Sequence, residues 1–199
     1  MSITSPFLNT AIFVVPPPIS KFTTTAFFSF DKGVSRQSYP SSQMGAIALI
    51  RQAILDAEHY QKNTNRKTVN LSLEALNKQL SLPLLMDVGD KLEVLRAQKV
   101  ADEFGLQFTC FGGGNEYERI KEIKANAAPL IVPINFPDAY EVGDPFVARQ
   151  IPLSSLKEWE LAPANPYLLA KEGVTFGLTS KGIKKSTDFW KNLHKAMEK

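Results

Sequence analysis

Short apolar segments alternate with helical stripes along most of this chain, and the connections between them are brief. That rhythm constrains the fold more than any other feature. Residues 83–87, 106–111, 129–134 and 174–179 read as strands, and each is apolar throughout instead of alternating with polar residues. Strands that are apolar on both faces belong to a parallel sheet covered by helices. An earlier segment, 23–30, is β-branched and aromatic and reads as a first strand. Between the strands lie helical stretches at 43–61, 71–80, 91–104, 115–125, 153–159 and 165–171, with a terminal amphipathic helix at 187–198.

Local signals place the ends of these helices. Met44, Ile47, Ala48, Ile50, Ile54, Leu55 and Ala57 form a stripe, with Ser41 or Ser42 as the expected N-cap. Ser72-Leu73-Glu74 resembles the capped first turn of the second helix. The third helix is expected to face Leu92, Leu95, Val100 and Ala101 inward and to stop at Gly105. Ile120 and Ile123 mark the buried side of the fourth. Pro166 suits the first turn of the helix at 165–171, and residues 135–150 form a long polar loop.

The pattern gives about five strands, whereas a closed barrel has eight. An open doubly wound sheet and a barrel lacking its first strands both fit. Residues 1–22 have no clear period, and Pro16-Pro17-Pro18 favours an irregular, extended lead-in. Residues 23–199 are then one α/β domain.

Composition excludes several classes. The formal net charge is +3, and the basic residues are scattered without an aromatic-interleaved block, so no nucleic-acid partner is expected. No apolar run is long enough to span a bilayer, so no membrane partner is expected either. The N-terminus lacks the basic and apolar regions of a signal peptide. As written the chain is expected to be cytoplasmic, or to be part of a longer, exported parent. The single cysteine, Cys110, excludes an internal disulfide framework and reads as a buried, inert thiol.

In parallel α/β folds, chemistry lies at the carboxyl ends of the strands. Those ends read Phe30-Asp31-Lys32-Gly33, Met86-Asp87-Val88-Gly89-Asp90, Phe111-Gly112-Gly113-Gly114-Asn115, Ile134-Asn135-Phe136-Pro137-Asp138 and Thr179-Ser180-Lys181-Gly182. Asp87 and Asp90 are the best carboxylate pair: either acid–base or metal-binding groups, or caps of the next helix. Asp87 is the candidate metal ligand, and Asp87, Asp90 and Ser180 are the candidate catalytic residues. Gly112, Gly113 and Gly114 form a candidate anion loop, or else a tight turn. The loop matches neither the dinucleotide fingerprint nor the Walker pattern. His59 and His194 both fall on helices, away from every strand end, so Ser180 has no activating base. Trp159, Phe189 and Trp190 read as packing residues.

Longer strings resemble a known family. Phe28-Ser29-Phe30-Asp31-Lys32-Gly33 is one, and Tyr39-Pro40-Ser41-Ser42-Gln43-Met44-Gly45-Ala46-Ile47-Ala48-Leu49-Ile50-Arg51-Gln52 is another. Further strings are Asp90-Lys91-Leu92-Glu93, Ala101-Asp102-Glu103-Phe104-Gly105-Leu106, Pro133-Ile134-Asn135-Phe136-Pro137, Trp159-Glu160-Leu161-Ala162-Pro163-Ala164-Asn165-Pro166 and Asp188-Phe189-Trp190-Lys191-Asn192-Leu193. From about residue 24 onward the chain resembles the amidohydrolase superfamily, in its imidazolonepropionase-like branch, and specifically a degenerate barrel of the long bacterial members.

The resemblance implies a (β/α)8 barrel of which this chain is a partial form, with parallel strands and the N-terminal ones missing. It also implies a family chemistry in which a divalent metal, often zinc, activates water against a non-peptide C–N bond. The family's ligands do not carry over. The His-x-His pair would lie upstream of Met1, one histidine position falls on Asp87, another on or near Gly112, and the final aspartate falls around Ser180 and Lys181. No cofactor is therefore expected in this chain, and the expected role is a non-catalytic portion that packs against, pairs with or shapes a neighbour. The expected partner is a second copy or a companion barrel segment. A hydrolase completed by another chain, and an anion- or metabolite-binding module, are the alternatives.

Overall fold

The computed structural model describes residues 26–30, 40–65 and 68–199. The lead-in at 1–22, the start of the first strand at 23–25 and the turn Asp31-Lys32-Gly33 lie outside the described residues. Two units are present, one ending at Phe111 and the other comprising Gly112–Lys199.

The first unit runs β1 (Ala26–Ser29), α1 (Gln43–Lys62), α2 (Leu71–Leu80), β2 (Leu84–Asp87), α3 (Lys91–Glu103) and β3 (Phe108–Phe111). Its strands are parallel, with Phe28 opposite Met86 and Met86 opposite Cys110. Met86, Phe108 and Cys110 are fully buried, and the Phe28 ring meets the Phe108 ring edge-on at 5.4 Å. Ser42 caps α1, its Oγ accepting from the Gly45 N–H at 3.2 Å. The buried side of α1 is Ala46, Ile50, Ile54 and Ala57. Met44 and Leu55, expected in that stripe, are 80% and 50% exposed.

The cap of α2 is Asn70, whose Oδ1 accepts from the N–H groups of Ser72 and Leu73. Ser72 lies inside the first turn and is not its start, because an Asx side chain placed two residues earlier already satisfies those donors. Asn77 ties α2 to α1 by donating from Nδ2 to the Ala57 carbonyl at 2.8 Å. In α3 the inward set is Val94, Ala97, Gln98, Val100 and Ala101. Val100 and Ala101 face inward as expected, whereas Leu92 is 39% exposed and Val94 and Ala97 take the buried places.

The second unit begins with a 3-10 turn (Glu116–Arg119) and a short α4 (Ile120–Ala125). There follow β4 (Leu130–Pro133), α5 (Pro145–Ala148), α6 (Leu153–Leu161), a 3-10 turn (Ala162–Ala164), α7 (Asn165–Lys171), β5 (Phe176–Thr179) and α8 (Ser186–Met197). β4 and β5 are parallel, with Val132 opposite Leu178. Both strands are buried for three successive residues, as parallel strands covered on both faces should be. The expected helix at 115–125 opens as a 3-10 turn, in which the Glu116 side chain turns inward, and becomes α-helical only from Ile120. The loop after β4 contains α5, capped by Asp144, whose Oδ1 accepts from the Phe146 N–H at 2.8 Å. Among the described residues, no helix is long and apolar enough to cross a membrane.

Candidate functional site

The second unit holds a cavity of about 770 Å3 at the carboxyl ends of β4 and β5. A recess of that size is ordinary for a small-molecule site, and its place is where parallel α/β folds present their ligands. Pro133 and residues 135–139 after β4 form one wall. The turn after β5 contributes Gly182, Ile183 and Lys184, and α6 contributes Glu158 and Trp159. From α8 come Asp188, Lys191, Asn192 and Lys195, and from the loop after β3 come Gly113 and Gly114.

Local chemistry holds these walls in place. The Asn192 Nδ2 donates to the Ile134 carbonyl at 2.8 Å, fastening α8 to the end of β4. The Lys195 ammonium lies 5.9 Å from the centre of the Phe136 ring, within reach of a cation–π attraction. The turn after β5 closes when the Ile183 N–H donates to the Ser180 carbonyl at 3.0 Å. Gly182 in that turn has φ of +84°, and a Cβ there would come within 2.6 Å of the Asn135 Nδ2. Only glycine fits both the backbone angle and the approach of Asn135.

The glycine loop is built around an internal carboxylate. Glu116 is fully buried. Its Oε1 accepts from the Gly114 N–H at 3.1 Å, and its Oε2 accepts from the Asn165 Nδ2 at 2.7 Å. The Asn165 Oδ1 accepts in turn from the Tyr117 N–H at 2.8 Å. The Gly112 N–H donates to the Ile131 carbonyl at 2.9 Å. A Cβ on Gly112 would lie 2.1 Å from Glu116 Oε1, so the carboxylate fills the space a side chain would need. Burial pushes the neighbouring Tyr117 phenol above its ordinary range, with the carboxylates of Glu118, Glu158 and Glu116 adding to the effect.

The residues singled out from sequence fall in both units. In the first, Asp90 caps α3, its Oδ1 accepting from the N–H groups of Leu92 at 2.7 Å and Glu93 at 2.9 Å. Asp87 is the last residue of β2 and is partly buried. In the second, Gly113 and Gly114 line the cavity, while Gly112 is buried beneath them against Glu116. Ser180 is exposed in the turn after β5, and the cavity wall there begins at Gly182. Trp159 and Trp190, expected to pack inside, are 37% and 60% exposed. Trp159 faces the cavity, and Trp190 rests edge-on against the buried Phe189.

Glu116 and the charged face of α8 were not singled out from sequence. For α8 a signal existed: Asp188, Lys191 and Lys195 recur at helical spacing directly after a strand end. Glu116 gave none, since a glutamate beginning a charged helix reads as solvated.

A zinc ion needs three or four close nitrogen, oxygen or thiolate donors. Among the described residues, no three His, Cys, Asp or Glu side chains are grouped to hold one. His59 and His194 are exposed on α1 and α8, and the Asp90 carboxylate is engaged as a cap. These residues do not fit a hydrolytic zinc centre.

Among solved structures, an amidohydrolase from Thermotoga maritima MSB8 is similar, with a TM-score of 0.64 at 19% identity. The match covers 86% of this chain and 45% of that one, so the chain spans less than half the length of its structural neighbour. At this identity the likeness is one of fold: an α/β chain with parallel strands. No family model and no curated protein matches the sequence.

Proposed function

We propose that this chain is a partial (β/α)8 barrel from an amidohydrolase-like protein, in the imidazolonepropionase-like branch, and that it does not hydrolyse C–N bonds by itself. The fold shared with the Thermotoga amidohydrolase carries the reading of ancestry. The strand-end residues support the reading of inactivity. Asp87, Gly112 and the Ser180-Lys181 pair stand where the family resemblance implies metal ligands, and a lysine ammonium opposes a bound cation. The role that remains is to pack against a second copy or a companion barrel segment and shape its site.

Two measurements on the purified full chain test this. Elemental analysis is expected to find no stoichiometric transition metal. One zinc per chain, lost on Asp87→Ala, would overturn the inactive reading in favour of a hydrolase completed by another segment. Light scattering after size-exclusion chromatography is expected to show self-association, and a monodisperse monomer would count against the pairing role.

The cavity favours a second reading, a metabolite-binding module, because its size and position suit a small ligand whether or not any metal binds.

A further inference from the structure

The cavity at the ends of β4 and β5 carries both signs of charge. Lys184, Lys191 and Lys195 line it together with Asp138, Glu158 and Asp188. Elsewhere in this unit opposite charges close on each other: Arg119 pairs with Glu122 at 3.1 Å and Lys124 with Glu172 at 3.7 Å. Among the described residues, none of the six cavity groups forms a salt bridge, although they share one recess. Five of the six are exposed and Asp188 is half-buried, so both signs of charge stand open to a ligand that can meet them together.

The arrangement along α8 gives the recess a direction. Asp188, Lys191 and Lys195 lie three and four residues apart, so they follow one another along a single helical face. At 1.5 Å per residue, the backbone positions of Asp188 in the first turn and Lys195 in the last are about 10 Å apart along the axis. This order also suits the helix dipole, so on an open surface it would mean nothing more. Here that face lines a cavity, and the Asn192 bond to the Ile134 carbonyl fixes which face it is. Across the space, Trp159 and Phe136 offer apolar surface.

A purely anionic ligand would be opposed by three carboxylates, and a purely cationic one by three ammonium groups. We propose that the cavity binds a small zwitterion, with its amine at the Asp188 end, its acid group at Lys191 and Lys195, and a short aliphatic span against Trp159. This inference rests on the second reading of the cavity, and the chain's metal content does not bear on it.

A matched series of flexible aliphatic ligands tests the charge pattern directly. ε-Aminocaproate carries one amine and one carboxylate, adipate two carboxylates and hexamethylenediamine two amines. Titration calorimetry on the full chain is expected to show the zwitterion binding roughly tenfold more tightly than either relative. The K191A/K195A double variant should remove that preference, and Asp188→Asn should weaken the zwitterion more than adipate. Circular dichroism checks that each variant is folded, and Lys195→Gln is the milder substitute should the double variant fail to fold. Adipate binding as tightly as ε-aminocaproate would overturn the proposal in favour of an anion site. Tightest binding of the diamine would overturn it too, as would the absence of ε-aminocaproate binding to the folded protein.

Discussion

At the scale of single residues, Glu116 shows how tightly the glycine loop is specified. Both of its carboxylate oxygens accept, one from a backbone N–H and one from the Asn165 amide. Glu116→Gln keeps the shape but sets a donor against a donor at one of these two contacts. It is expected to cost about 1–3 kcal/mol, the usual penalty for stranding a buried polar group, read as a shift in the urea midpoint. Gly112 is bound to the same device, since its missing side chain is the room the carboxylate occupies. The Gly112-Gly113-Gly114 string was conspicuous in the sequence, and its partner was not. Of the three, Gly112 is small because a carboxylate of the same chain fills its side-chain space, and a one-dimensional reading cannot tell an internal anion from an external one.

At the scale of elements, helix ends and ion pairs carry the testable content. Asp90 accepts two N–H groups at the start of α3, so Asp90→Ala is expected to cost about 1 kcal/mol in chemical denaturation. α1 and α3 are joined by a fork, with the Arg51 Nε and Nη2 donating to the two Glu103 oxygens at 2.5 and 2.6 Å. The hydrogen bond from Arg51 holds the Glu103 carboxyl below the usual carboxylate range and raises the guanidinium in turn. The folded state therefore favours the ionised carboxylate. Its stabilisation is present above the ordinary glutamate range and is lost as pH falls through the lower, folded value. Glu103→Gln should lower the thermal midpoint slightly near neutral pH, and the difference from the parent should vanish in acid. High salt should shrink it as well, since the pair is more than a third exposed.

These elements were largely legible in advance because strand and helix periods are local. The apolar runs around Met86, Cys110 and Val132, and the caps at Ser42 and Asp90, are written in neighbouring residues. What failed depended on the third dimension. Leu92 and Met44 are apolar yet exposed, since which of several apolar neighbours turns inward is decided by packing. The charges lining the cavity come from α6, α8 and two loops, and no local pattern joins them.

At the scale of the molecule, the described residues form two units, and the one thiol of the chain belongs to the first. Cys110 lies on β3, opposite Met86, with no exposed surface. A bulky thiol reagent can reach it only when that unit opens, which turns a packing detail into a clock. Labelling is expected to be slower than in the denatured chain by roughly a thousandfold or more. At low reagent the rate reports how often the unit is open, and at saturating reagent it reports how fast the unit opens. Followed while the cavity of the other unit is filled, the same thiol gives the coupling between the two units: unchanged labelling means that they breathe independently, and slowed labelling means that they open as one.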